Sequence, residues 1–128
     1  MTKDDKITAT LWVPTALPGL NELLALKSKD KGSYDRAKKA AHAVVAPAIF
    51  EASLPSFIKG AYLSYVLVEK NRRRDPGNVF AGASKLIEDS LVTCRVLTTD
   101  GWKGVLGYRS IAWQVGDLPG VRVILESP

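Results

Sequence analysis

Residues 61–68 read Ala-Tyr-Leu-Ser-Tyr-Val-Leu-Val and run straight into Glu69-Lys70-Asn71-Arg72-Arg73-Arg74-Asp75-Pro76-Gly77-Asn78. The first eight residues are rich in aromatic and β-branched side chains, which is strand composition. Pro-Gly-Asn is turn chemistry. Beyond it, Val79, Phe80, Ala83, Ile87, Leu91 and Cys94 recur at helical spacing and predict a helix over residues 79–94 with that stripe buried. A strand that passes through a charged turn into an amphipathic helix predicts a layered domain, with the helix packed on a sheet.

The flanks extend this pattern. Residues 7–13 alternate as a strand, and Pro14 ends it. Residues 14–33 read as a loop with a short helical turn at Asn21–Leu26. Ser33 is placed to cap a helix over Tyr34–Ala52, whose apolar positions are Ala37, Ala40, Ala41, Val44, Val45, Ala48 and Ile49. Pro47 inside it is expected to kink or split it. Thr98-Thr99-Asp100-Gly101 is a turn. Lys103–Val115 and Gly120–Leu125 read as two closing strands, antiparallel and joined by residues 116–119. The resulting order β-α-β-α-β-β predicts an α+β (mixed α/β) single domain over residues 1–128, a small mixed sheet with two main helices packed on it.

Composition narrows the class. The chain has 128 residues, 46% hydrophobic and 24% charged, which excludes disorder, collagen and coiled coil. One cysteine, Cys94, permits no internal disulfide and no cysteine-rich zinc site, and it reads as a small buried hydrophobe. The single His42 excludes His–His metal motifs and argues against a Ser-His-Asp triad; it reads as structural or half exposed. Met1–Lys6 is polar and charged, with no apolar signal segment after it, and Ala40–Phe50 is too short to span a bilayer. A protein of the cytoplasm with no membrane partner is expected. Eighteen basic against thirteen acidic residues give a net charge of +5, which permits a polyanionic partner without requiring one.

The chemistry concentrates between Lys70 and Asp100. Lys70, Arg72, Arg73 and Arg74 place four cations in five positions, and Asp75 follows at once. Guanidinium groups hold phosphates as bidentate partners, and their field keeps a neighbouring carboxylate ionised. The plainer alternative is a solvated strand end with Asp75 capping the next helix. Lys85, Glu88, Asp89 and Val92 share a second face of the 79–94 helix, where Lys85 and Asp89 read as an exposed ion pair. Phe80, Trp102 and Trp113 are assigned to core packing, with a lesser chance of stacking on a base.

The run Arg-Arg-Arg-Asp-Pro-Gly-Asn at 72–78 resembles the central motif of the RusA family, small Holliday junction resolvases of bacteria and their phages. Gly82–Leu91 resembles the family's helix, and Leu97–Lys103 its acidic turn. Leu20–Leu24 and Tyr34–Lys39 resemble its N-terminal loop and basic helix. The resemblance implies a metal-dependent endonuclease that resolves four-way junctions or other branched DNA as a homodimer. Asp75 and Asp100 match the catalytic, metal-holding aspartates, Lys85 the helix lysine and Asn78 a supporting asparagine. Lys70, Arg72, Arg73 and Arg74 become DNA-binding residues, and Mg²⁺ (or Mn²⁺) the cofactor. Gly77 stands where the family motif has a second aspartate. That departure leaves open weakened cleavage, a substitute ligand from Glu88 or Asp89, or a non-catalytic junction-binding protein. An unrelated nucleic-acid-binding α+β domain is the remaining alternative.

Overall fold

The computed structural model describes residues 6–128, so all but the last residue of the charged Met1–Lys6 segment lies outside it. Its elements are β1 (Thr8–Val13), α1 (Leu20–Lys29), α2 (Lys31–Ala52), β2 (Ala61–Glu69), α3 (Pro76–Thr93), β3 (Val105–Val115) and β4 (Gly120–Glu126). Three helices and a four-stranded mixed sheet in the order β1-β4-β2-β3 make an α+β domain. β4 runs antiparallel to both β1 and β2, and β2 pairs in parallel with β3.

The period-2 pattern of the strands fixes which face is covered. Leu11 lies opposite Val123, which lies opposite Tyr65; Val13, Val121 and Leu67 form the next row. All six side chains are buried, and the row beside them adds Leu63 and Leu125. Ala41, Val45 and Ile49 of α2 and Val79, Ala83, Ile87 and Leu91 of α3 complete this core. At roughly 1.5–3 kcal/mol for each large apolar side chain, this burial is the main favourable term of folding.

The two closing strands are not neighbours, which corrects the expected antiparallel pair. They run in opposite directions, but β4 inserts between β1 and β2, leaving β3 as an edge. The reason lies in composition: Val121, Val123 and Leu125 require a covered central position, whereas Arg109, Ser110 and Gln114 tolerate solvent.

Three helix expectations are corrected. α2 starts three residues before Tyr34, because Asp30 is the cap: Ser33 N–H donates to Asp30 Oδ1 at 2.6 Å and the Ser33 hydroxyl to Oδ2 at 2.9 Å. Pro47 does not split α2. Ala43, the residue whose carbonyl loses its partner, is exposed like Pro47 itself, so the freed carbonyl is open to solvent rather than buried without a donor. The short turn near Asn21 is a ten-residue helix, with Glu22 Oε1 accepting from Gly19 N–H at 2.9 Å. α3 crosses the Pro18–Gly19 backbone so closely that a Cβ on Gly82 would lie 2.2 Å from the Pro18 carbonyl oxygen. Only glycine fits there. No helix among the described residues is long and apolar enough to cross a membrane.

Candidate functional site

The strand-to-helix junction, residues 69–78, divides its cations between two duties. Arg74 is turned inward. Its Nε and Nη2 donate to the two Glu69 carboxylate oxygens at 2.8 and 2.9 Å, and its Nη1 donates to the Leu17 carbonyl at 2.9 Å and to Glu22 Oε1 at 2.7 Å. This is a fork clamped on two carboxylates. The hydrogen bond from Gly19 N–H, and then Arg74, hold the Glu22 carboxyl below its ordinary value. Arg74, expected among the DNA-binding residues, thus ties the basic loop to the start of α1. Lys70, Arg72 and Arg73 are exposed, and among the described residues the only ion pairs are those of Arg74 and Arg36.

Asp75 occupies the N-cap position of α3, with Pro76 at the first helical position, yet its carboxylate makes no capping hydrogen bond. It is exposed beside the positive end of the helix. Asn78 fastens the neighbouring segment: its Oδ1 accepts from Asn21 N–H at 2.7 Å. A Cβ on Gly77 would meet nothing within 4 Å, so the position is open to a side chain. Trp113 Nε1 donates to the Pro76 carbonyl at 3.0 Å and pins the first turn of α3 to the end of β3. Glu69, Arg72, Arg74, Pro76 and Trp113 line a 190 Å³ crevice here, at the carboxyl ends of the parallel strands, where α/β sheets commonly bind ligands.

Asp100 belongs to the opposite end of the same βαβ unit. It shares a 580 Å³ open basin with Lys38, Lys39 and His42 of α2 and Asp89 and Ser90 of α3. The His42 Nδ1 and the Ser90 hydroxyl are 2.8 Å apart, a half-buried structural contact. Asp75 precedes the first residue of α3, whereas Asp100 lies level with Leu86–Thr93, so roughly 16–27 Å of helix separates them. Lys85 is exposed ten residues beyond Asp75, about 15 Å along the axis.

The expected convergence of Asp75, Lys85 and Asp100 is therefore corrected: one chain does not bring them together. A Mg²⁺ ion binds oxygens at about 2.0–2.1 Å and cannot bridge that gap. Among the described residues, no three His, Cys, Asp or Glu side chains gather closely enough to hold a metal. A single chain does not fit the ion through these two acids.

Glu88 overturns another expectation. It does not face solvent with Lys85 and Asp89 but is buried under the sheet, accepting hydrogen bonds from the Tyr65 hydroxyl at 2.8 Å and the Tyr108 hydroxyl at 2.9 Å. Burial raises its carboxyl above the ordinary value; the two phenols oppose that rise, and Asp100 and Asp89 add to it. Both phenols are pushed upward, by burial first and then by the Glu88 charge. Phe80 packs edge-on against both tyrosine rings at 5.2 and 5.3 Å. Tyr65 carried the signal: a tyrosine in the middle of an apolar strand needs an acceptor for its hydroxyl. Trp102, assigned to the core, is instead 95% exposed, and Trp113 is half exposed. Trp102 lies just before β3 and Trp113 within it, and β3 is an edge strand of the sheet. Compared with models of known protein families the chain matches none, and no curated protein matches it in sequence.

Proposed function

We propose that this protein binds branched DNA, and that it cuts phosphodiester bonds in the manner of a junction nuclease only as an assembly of two chains. The carrying observation is the junction loop: Lys70, Arg72 and Arg73 stand exposed and, among the described residues, free of ion pairs beside the N-terminus of α3. Cations and a helix N-terminus at one edge are an anion-binding arrangement. The RusA resemblance supplies the substrate class, a four-way junction, and the metal, Mg²⁺ or Mn²⁺, held by Asp75 and Asp100 with Lys85 assisting. DNA as substrate accords with the expected cytoplasmic location.

The second reading is a junction-binding protein that does not cut. The separation of Asp75 from Asp100 and the glycine at position 77 favour it. Both readings are tested by titrating a labelled four-way junction and a linear duplex of equal length across a salt series, then adding Mg²⁺. Junction binding well above duplex binding, with a log–log salt slope that falls by about one when Arg73 becomes Ala, supports the interface. Equal affinity for both DNAs refutes the junction assignment. Tight junction binding without nicking in Mg²⁺ or Mn²⁺ selects the second reading.

A further inference from the structure

Strand side chains alternate, so the sheet has a second face. Leu11, Val13, Tyr65 and Val123 point into the core, where residues of all three helices meet them. The residues between them point the other way. The row Thr8–Glu126–Tyr62 lies at one end of this outer face, and the row Trp12–Arg122–Val66 at the other. Among the described residues no helix covers it, and Thr10, Ser110 and Ala112 in its middle are exposed. The face carries two cation–aromatic stacks. Arg109 Cζ lies 4.2 Å from the centre of the half-buried Tyr62 ring, and Arg122 Cζ 5.3 Å from that of Trp12. Each ring leans on a glycine of the next strand: a Cβ on Gly107 would meet Tyr62 at 3.5 Å, and one on Gly120 would lie 2.5 Å from Trp12. The bare glycines let the rings lie along the sheet. Both guanidinium groups are exposed and, among the described residues, make no ion pair.

We propose that this open sheet face binds single-stranded DNA, with a base on each ring–guanidinium stack and phosphates on Arg109 and Arg122. The choice of DNA over RNA rests on the branched-DNA reading above; the stacking platform does not. A guanidinium backed by a ring offers its plane to a base and its edge N–H groups to a phosphate. Only unpaired bases have a face to offer, since each base in a duplex is covered by its neighbours. The charge complements a polyanion: two free arginines stand against one carboxylate on these rows, Glu126. The stacks are four residues apart along the strands and two strands apart across them, roughly 16 Å. On that scale, aromatic rings on a four-stranded sheet take up two or three bases. The face also adjoins the basic loop. Pro14 and Pro119, beside the Trp12 end of β1 and β4, line a 630 Å³ cleft with Lys70 and Arg73. A strand leaving a branch held at that loop is thereby led onto the sheet.

The test uses the full chain and the fluorescence anisotropy of labelled oligothymidylate, oligouridylate and linear duplex, each about 16 nucleotides long, the upper end of single-strand site sizes. Oligothymidylate is expected to bind about tenfold more tightly than either of the others. Tyr62→Ala and Trp12→Ala are each expected to weaken it by about 5- to 150-fold, the loss of one stacked base. Tyr62→Phe, which keeps the ring, is expected to restore binding. Arg109→Ala, at an exposed position outside the core, is expected to reduce the log–log salt slope by about 0.7, one phosphate contact on a single strand. Oligothymidylate carrying 5-iododeoxyuridine is expected to photocross-link to Tyr62 or Trp12, as mapped by mass spectrometry. Equal affinity for duplex or for oligouridylate, cross-links confined to residues 70–74, or indifference to both Tyr62→Ala and Arg109→Ala overturns the proposal. A protein that prefers four-way junctions to duplex but ignores oligothymidylate loses the platform and keeps the junction reading. One that binds oligothymidylate through Tyr62 and Trp12, yet holds junction and duplex equally, keeps the platform and loses the junction reading.

Discussion

Replacing Arg74 by Ala separates a clamp from a DNA contact. The wild-type guanidinium makes four hydrogen bonds, two of them to Glu69, whose side chain is only 16% exposed. A hydrogen bond to a charged group contributes a net 1.5–3 kcal/mol or so. The Glu22 contact adds well under 1 kcal/mol, because that carboxylate is half exposed and screened. Loss of the clamp also leaves Glu69 partly buried without its counter-charge. The expected cost is about 2–4 kcal/mol, and for a chain of this size each kcal/mol lowers Tm by roughly 4 °C. Differential scanning calorimetry is therefore expected to show a fall of about 8–16 °C. Arg74→Lys is expected to recover only part of it, since an ammonium cannot span both oxygens of Glu69. Junction affinity at 10 °C, where the variant is folded, is expected to stay within about threefold of wild type, the scale of an indirect effect. A Tm change under 2 °C together with a tenfold or greater loss of binding would refute the clamp and return Arg74 to the DNA surface.

Three further outcomes follow from the same geometry. Gly77→Asp is expected to leave Tm unchanged or slightly raised, since its Cβ meets no atom within 4 Å and a carboxylate in the first turn favours the helix dipole by about 0.3–1 kcal/mol; on the nuclease reading it also raises Mg²⁺-dependent nicking, and an unaltered rate removes position 77 from any working site. Glu88 sets a pH dependence. Its folded carboxyl titrates above the ordinary 4.5, so its charged form is disfavoured by folding, and stability tied to its protonated form grows as pH falls through the raised folded value toward 4.5. Thermal melts of wild type against Glu88→Gln are expected to shift in favour of wild type over that interval, and a shift the other way contradicts the buried geometry. Pro47→Ala is expected to raise Tm, because it restores a backbone donor inside α2 worth up to about 3 kcal/mol, and a lower Tm would mean that Pro47 serves a contact of its own.

Local pattern made β2 and α3 readable, because aromatic and β-branched residues at 61–68 and the stripe from Val79 to Leu91 speak through near neighbours alone. The position of β4 was not readable, since insertion between β1 and β2 depends on pairing with residues more than a hundred positions away at Thr8–Val13. Asp30 against Ser33 shows the usual ambiguity of helix starts, where two good caps lie three residues apart and only the backbone decides. In the candidate site, the charge run was visible but not its division of labour. Nothing in Arg72-Arg73-Arg74 tells which guanidinium turns inward until Glu69 and Glu22 are in place. Glu88 was hidden because a carboxylate on a helix normally faces water, and the two phenols that hold it come from β2 and β3. The spacing from Asp75 to Asp100 is compatible with convergence in a line of letters, whereas a parallel crossover sends the two to opposite ends.

The segment from Leu17 to Glu22 is held by residues more than fifty positions downstream: Arg74 on Leu17 and Glu22, Asn78 on Asn21, and the bare backbone of Gly82 against Pro18. Each of these closures needs the first turns of α3 already built, and each carries the entropic penalty of a long loop. α1 is accordingly expected to be among the last elements to lock during folding and the first to let go during unfolding. Amide exchange in α1 is expected to report openings that leave the strands protected, so that α1 is the least committed of the three helices described.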